Sequence, residues 1–93
     1  MIMAEEYKVV AKVISQKGTC AGRQEVGREF TVCEEGEQCP QGLCPWALYA
    51  MFPFATVLRF GGSFWWEKDP YKTVVACPDA RNPVVYELRR ERR

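Results

Sequence analysis

Five cysteines are the residues of this chain with the most distinctive chemistry. Cys39, Cys44 and Cys77 are each followed by proline, whereas Cys20 and Cys33 are not. The chain has no histidine, which excludes catalysis by Ser-His-Asp and Cys-His groups of the usual kinds. Thiols, carboxylates, lysines and tyrosines are therefore the groups left for acid–base or ligand chemistry.

Cys44 occupies a position that favours an ionised thiol. It stands at the predicted N-cap of a helix, with Pro45 at the first helical position, where a missing N–H costs nothing. The unsatisfied N–H groups and the positive end of the helix dipole favour the thiolate, which attacks electrophiles and binds metals. Cys20 lies in a glycine-containing loop and Cys77 near the end of a predicted strand, and such positions often carry sites.

The remaining cysteines and the overall spacing point less clearly to a site. Cys33 falls within a strand pattern and indicates packing or sheet surface, and Cys39 lies in a polar loop with no evident role. No C-x-x-C pair is present, so a four-coordinate zinc site needs four thiolates, or three and a carboxylate such as Asp79. Sites built from thiolates alone suit zinc, Cu(I) or an iron–sulfur cluster.

Hydrophobic periodicity predicts the elements that must position these side chains. Alternating patterns predict strands over residues 6–15 and 28–35, and two further strands joined by the turn PDARNP within residues 72–88. A mostly apolar segment over about residues 45–60 predicts a helix that Pro53 kinks or divides and that Gly-Gly ends.

These elements predict an α+β fold. We expect a single small domain over residues 1–93, with an antiparallel sheet of about four strands packed by the Pro-broken helical segment. The Arg-rich end at 90–93 is expected to be a frayed tail. A domain of this size buries a modest share of its surface, so a bound ion, cluster or partner would help to stabilise it.

Charge and hydropathy narrow the classes of partner and compartment. The net charge of +1 gives the whole chain little long-range attraction for nucleic acid. The run from Trp46 to Leu58 is too short for a membrane helix, which needs about 20 residues. Acidic residues stand where a secretory signal needs an apolar core. We therefore expect a cytoplasmic protein without a membrane span and without a disulfide framework.

Aromatic residues and one arginine are further candidates for function. Most of the aromatic side chains between residues 46 and 66 are expected to form core and lid, because they cluster on the helix and the following loop. The segment GGSFWWEKDPY, residues 61–71, is alternatively an exposed patch that binds protein. Arg59, the one charge of the helical stretch, either meets an anionic ligand or carboxylate or reaches to the surface.

Three segments together resemble a small uncharacterised prokaryotic family of about this length. They are GTC…VGREFTV, CPWALYAMFPFATVLRFGGSFWWEKDP and VACPDARNPVVYEL, and they cover nearly the whole chain. The resemblance implies that Cys20, Cys44 and Cys77 belong to the family pattern, whereas Cys33 and Cys39 are additions. It brings no activity with it. The pattern also includes Pro45, Pro53, Arg59, Gly61, Gly62, Trp66, Pro78 and Asp79.

The chain departs from that family at one polar position. The family reads Gly-His-Lys and then Val-Gly-Asp, whereas the matching residues here are Arg23, Gln24 and Glu25 and then Val-Gly-Arg. If the histidine were an essential ligand or base, this protein would be impaired. Either the histidine is dispensable or another residue replaces it.

Three hypotheses of function follow from these observations. The leading one is a thiolate site of Cys20, Cys44 and Cys77 that holds a soft metal, zinc or an iron–sulfur cluster and leaves one coordination position open. The second is thiol-redox chemistry at Cys44, with another cysteine as resolving partner. The third is an interaction module that uses an exposed aromatic patch to bind a protein partner or a second copy. Arg59, Trp66 and Asp79 are additional candidate site residues, and an enzymatic activity is left open.

Overall fold

In the described part of the chain, four antiparallel strands form one sheet, in which the second, first, fourth and third strands of the chain lie side by side in that order. One helix packs on one face of the sheet. The computed structural model describes residues 7–18, 24–34 and 39–92. The predicted α+β class is confirmed, and the described part of the chain has this order of elements: β1 (Lys8–Gln16), β2 (Glu29–Val32), α1 (Pro45–Arg59), β3 (Lys72–Ala76) and β4 (Val84–Glu91).

The face of the sheet that meets α1 carries the core. Alternate residues of the two central strands point into it, as expected for a sheet with one buried face. The helix contributes a stripe at spacings of four, four and three residues, which lies on one side of a helix of 3.6 residues per turn. The fully buried members are Val9, Ala11 and Val13 of β1, Val84, Tyr86 and Leu88 of β4, and Ala47, Met51, Ala55 and Leu58 of α1.

The opposite face of the sheet is charged. The register places Lys12 opposite both Glu29 and Glu87. The Arg89 guanidinium donates to Glu29 at 3.2 Å and to Glu91 at 2.9 Å. Oppositely charged neighbours across strands are typical of a surface that meets water, and each such exposed pair stabilises the fold by at most about 1 kcal/mol.

Helix α1 runs without interruption through Pro53. Cys44 is its N-cap and Pro45 its first residue, as predicted. The sequence predicts either a kink or a division at Pro53. The division is wrong, because α1 and its buried stripe continue on both sides of the proline. In a regular helix the N–H of residue 53 donates to the carbonyl of residue 49, but Pro53 has no N–H. Tyr49 lies on the water-facing side of the helix, where solvent can satisfy this carbonyl. Within the described ranges, no helix has the length and hydropathy needed to cross a membrane.

The helix ends in a paired glycine turn. Gly61 has a positive φ of 85°, a conformation that glycine adopts without steric cost. Its N–H donates to Leu58 O at 3.1 Å, and the Gly62 N–H donates to Val57 O at 2.8 Å. These are the two hydrogen bonds of a Schellman motif, which satisfies carbonyls that the helix leaves unpaired. The prediction that Gly-Gly ends the helix is confirmed.

Arg90 fixes the end of α1 to the sheet. Its Nη1 donates to Gly62 O at 2.6 Å and to Leu58 O at 3.4 Å, the carbonyls at the negative end of the helix dipole. The guanidinium lies over the rings of Tyr7 and Tyr71, at 4.9 Å and 5.0 Å from their centroids. The expectation of a frayed end at 90–93 is therefore wrong for Arg90 and Glu91, since both are paired with β1.

Arg90→Met keeps the apolar stem of the side chain but removes the hydrogen bonds that the guanidinium donates to Leu58 O and Gly62 O. The loss of these charge-assisted hydrogen bonds should destabilise the protein by about 2 kcal/mol. The matched control is Arg89→Met, which removes only surface ion pairs on the opposite face and should cost less than about 1 kcal/mol. Urea unfolding of both variants measures these losses. Equal losses for the two arginines would contradict the role of Arg90.

Candidate functional site

The topology sorts the cysteines between two ends of the domain. At one end, here called the helix-start end, β1 and β3 finish and β2, β4 and α1 begin. Cys44 and Cys77 lie there, at the start of α1 and the end of β3. Cys33 lies at the opposite end, where its carbonyl accepts from Arg59 Nη1 at 2.8 Å in the last turn of α1.

Cys20, the third cysteine of the predicted site, lies outside the described residues. The described residues nearest to it in sequence on either side are both at the helix-start end. Gly18 packs so closely against Asn82, in the turn after Cys77, that a side chain there would collide with it. On the other side, Gln24 bonds Gly42, two residues before Cys44. The chain thus enters and leaves the segment containing Cys20 at the end of the domain that carries the other two cysteines.

Cys44 and Cys77 are both partly buried against the core, but their thiols have different surroundings. The Cys77 sulfur accepts a hydrogen bond from the Val84 N–H at 3.3 Å. The Cys44 sulfur makes no capping hydrogen bond with the helix, so it does not take up the amide contacts that its position offers. Across residues 7–18, 24–34 and 39–92, no three cysteines or carboxylates are grouped to hold a metal. The predicted trio depends on Cys20 and stays a prediction.

Asp79 is used by the turn that joins β3 to β4. Its Oδ1 accepts from the N–H groups of Arg81 and Asn82, both at 3.1 Å. These backbone hydrogen bonds favour the ionised carboxylate and lower the pKa of Asp79. The predicted turn is confirmed. The carboxylate that sequence reasoning offered as a metal ligand thus has a structural function in its own loop.

Arg59, Cys33 and Cys39 each have partners close by in the fold. Besides bonding the Cys33 carbonyl, the Arg59 guanidinium lies 5.1 Å from the Phe60 ring centroid. Cys33 has a positive φ of 61° just after β2, and its sulfur lies 3.7 Å from Thr56 Oγ1. Cys39 is exposed, and its thiol donates to Leu43 O at 3.3 Å. Arg59 therefore joins the end of β2 to α1 through a main-chain oxygen.

Gln24, at the position where the sequence resemblance predicts histidine, is a structural residue. It is 1% exposed, its Nε2 donates to Gly42 O at 2.8 Å, and its Oε1 accepts from the Tyr86 hydroxyl at 2.9 Å. The amide thereby connects the loop before α1 to β4, and a buried polar side chain needs such partners. In the sequence this position is a departure from the resembled family, and no local pattern there predicts that the side chain is buried.

The prediction that the aromatic residues form core and lid is wrong for much of the set. Trp46 is 62% exposed, Phe52 48%, Phe60 49% and Trp65 92%. The physical reason is that α1 carries apolar residues on all sides, whereas a single sheet can cover only one of them. The half of the helix that faces away from the sheet remains in contact with water.

A tight turn after α1 leaves Trp65 almost fully exposed and packs Phe64 and Trp66 against Phe54, although Trp66 is itself 48% exposed. The Glu67 N–H donates to Phe64 O at 3.1 Å, which closes the turn around Trp65 and Trp66. Phe64 and Trp66 stack with ring centroids 4.7 Å apart, and both lie against Phe54 of α1. Trp65 contacts Trp66 edge-on at 5.7 Å and is otherwise exposed.

A chain of hydrogen bonds fixes the orientation of this turn. The Trp66 Nε1 donates to the buried hydroxyl of Thr73 at 3.2 Å. That hydroxyl donates in turn to Glu67 Oε2 at 2.7 Å. Trp66, a candidate site residue from the sequence, is thus an anchor for the turn, and Trp65 is the side chain that the turn presents. The aromatic patch predicted at residues 61–71 includes both tryptophans.

Comparisons of the chain with protein-family models, curated proteins and solved structures find no match. The resemblance to the small prokaryotic family stays a prediction. Function has to be inferred from the chemistry, exposure and positions of the side chains themselves.

The contribution of Asp79 to stability should disappear in acid. Because its folded pKa is lowered, the carboxylate stabilises the fold above the ordinary aspartate pKa, about 4, and this is lost as the pH falls through the folded pKa. The difference in unfolding free energy between the wild type and Asp79→Ala, measured by urea unfolding, should therefore shrink below about pH 4. The difference between Asp79→Asn and Asp79→Ala should stay constant, since neither titrates. A wild-type difference that persists in acid would contradict this assignment.

Proposed function

We propose that the protein is an interaction module that binds a protein partner by inserting the Trp65 indole into an apolar pocket of that partner. The observation that carries this proposal is the contrast within one turn. Trp65 is 92% exposed, whereas the aromatic residues on either side of it pack against Phe54. A side chain that is large, apolar and uncovered on a well-anchored turn is a typical interface anchor.

Pre-organisation supports the same function. The turn is closed by a backbone hydrogen bond between Phe64 and Glu67, and the neighbouring indole is held by Thr73. A partner that binds Trp65 therefore orders only one side chain, and immobilising a side chain costs about 0.5–1.5 kcal/mol. Tryptophan buries up to about 250 Å² and is enriched among the residues that dominate binding energy.

The immediate surroundings of Trp65 suit a protein more than a nucleic acid. Glu67, Lys68 and Asp69 stand two to four residues after it in the same loop, so charges of both signs are close to Trp65 in the sequence. Binding to a phosphate backbone instead requires clustered lysine or arginine. A pocket with apolar walls and a polar rim fits an exposed indole in a loop segment of mixed charge.

Photo-crosslinking from position 65 tests the proposal. Trp65→p-benzoylphenylalanine in the full chain, irradiated in the source cells, should give one defined adduct with another protein. The matched control is the same probe at Val26, an exposed apolar residue in the turn before β2. Equal labelling from the two positions would contradict the proposal.

The protein identified by that adduct then provides a quantitative measurement. Trp65→Ala should weaken its binding in calorimetry by about 30-fold or more, the loss expected of a dominant interface residue. Val26→Ala should leave the affinity unchanged. An affinity that Trp65→Ala does not alter would show that the indole is not the anchor.

The three-cysteine site is a second candidate function, favoured by a separate observation. Cys44, Cys77 and the described residues on both sides of the Cys20 segment are at the same end of the domain. If the Cys20 thiolate joins the other two, the three would hold zinc, a soft metal or an iron–sulfur cluster and leave one position open. Thiol-redox chemistry at Cys44 is the alternative use of the same thiols.

Metal content measured after purification without oxygen, and without a metal-binding tag, tests the second candidate. If it is correct, iron, zinc or copper is stoichiometric, and Cys20→Ser, Cys44→Ser and Cys77→Ser each lower it. Cys33→Ser, at the opposite end of the domain, is the matched control and should not. Unchanged metal content in all three ligand variants would reject the site, and the colour and sulfide content distinguish a cluster from zinc.

A further inference from the structure

The side of α1 that faces away from the sheet is a second apolar surface, separate from Trp65. The residues that share it are Trp46, Tyr49, Pro53, Val57 and Phe60, at spacings of three and four residues, with Phe52 beside them. We call these six residues the outer helix face. Arg59 is the one charged residue of the helix, and its guanidinium donates to the Cys33 carbonyl at the end of β2. A helix that is apolar all round is normally covered on all sides.

The outer helix face approaches the size of an interface. Its four aromatic side chains are between 48% and 85% exposed. With about 200 Å² for each whole side chain, they leave roughly 500 Å² of aromatic surface in contact with water. That is near the upper limit for a patch on a typical monomer. Pro53 and Val57, the other two members of the face, and the neighbouring Leu48 extend this apolar area toward the roughly 800 Å² that each partner contributes to a standard complex.

The shape of this surface includes both a recess and a projection. Leu48, Tyr49 and Phe52 line an open apolar recess of about 220 Å³ on one flank of the helix. Trp46 lies outside that lining, is 62% exposed and projects from the same helix one turn nearer its start. A recess and a projecting ring on one face allow two copies related by a two-fold axis to fill each other's recess.

Charge favours a second copy over other occupants. Of the six residues of the outer helix face, only Tyr49 has an ionisable group. The Arg59 guanidinium borders the face beside Phe60, and it donates to the Cys33 carbonyl. A strongly charged partner would therefore find little complement there. A membrane surface is usually met by helices with several lysines or arginines on their polar side, whereas α1 has one cation, Arg59, which bonds the Cys33 carbonyl. An identical neutral face is complementary, and two chains of net charge +1 repel each other little.

We infer that the outer helix face is the contact surface of a homodimer in which the α1 helices of two copies pack against each other. Each sheet then covers one side of its own helix, and the partner's helix covers the other. The assembly has two sheets outside and two helices inside, with the charged face of each sheet still in water. The outer helix face does not include Trp65. The homodimer can therefore be tested separately from the protein partner proposed above.

Sedimentation equilibrium of the full chain, from low to high micromolar concentration, tests the inference. A reversible dimer that is little affected by salt is expected, because the contact is apolar. Tyr49→Glu should weaken it by about 100-fold or more, since each copy would bury an unpaired carboxylate. Tyr49 is 85% exposed, so the variant should fold, and circular dichroism verifies this. Trp46→Glu is a second variant with the same expected effect.

The controls separate this surface from the others. Val74→Glu, at an exposed apolar residue on the charged face of the sheet, and Trp65→Ala should both leave the dimer intact. A monomer at every concentration, or a dimer that neither Tyr49→Glu nor Trp46→Glu weakens, would overturn the inference. Binding of the monomer to phosphatidylcholine vesicles would also overturn it, because the face would then meet lipid.

Discussion

The hydrogen bonds from Arg90 to the last turn of α1 set the position of the helix on the sheet. Hydrophobic contact between the helix and the core is strong but non-directional, and Ala47 and Ala55 in the buried stripe do little to define a register. Arg90 supplies direction, because it bonds Leu58 and Gly62 from a strand of fixed pairing. The water-facing aromatic residues depend on that register, since a rotation of the helix would exchange them with the core.

At the start of α1, the neutral side chain of Gln24 has the role that Arg90 has at the helix end. Gln24 bonds both Gly42, just before α1, and Tyr86, in the centre of the sheet. This buried amide therefore determines where the start of α1 lies, and with it Cys44. A metal site or a reactive thiol at the helix-start end would rely on this support. The amide stands where the sequence resemblance predicts histidine, and its two hydrogen bonds give this polar position a structural role.

Two apolar surfaces on one small domain have a common physical origin. A sheet with a single helix makes two layers, and two layers cannot cover a helix that is apolar on all sides. The loop that follows places Trp65 outward, because its neighbours occupy the space against Phe54. Partners would supply the buried area that a chain of 93 residues cannot supply for itself.

Local patterns in the sequence determined most of the elements. Alternation in β1, Pro45 after Cys44, the glycine pair at 61–62 and the turn at Asp79 each act over a few residues, so they can be recognised without the fold. Only the tertiary structure decided which aromatic residues face water, that Gln24 is buried and that Arg90 belongs to the sheet. Burial depends on which surfaces the other elements cover, and no local pattern contains that information.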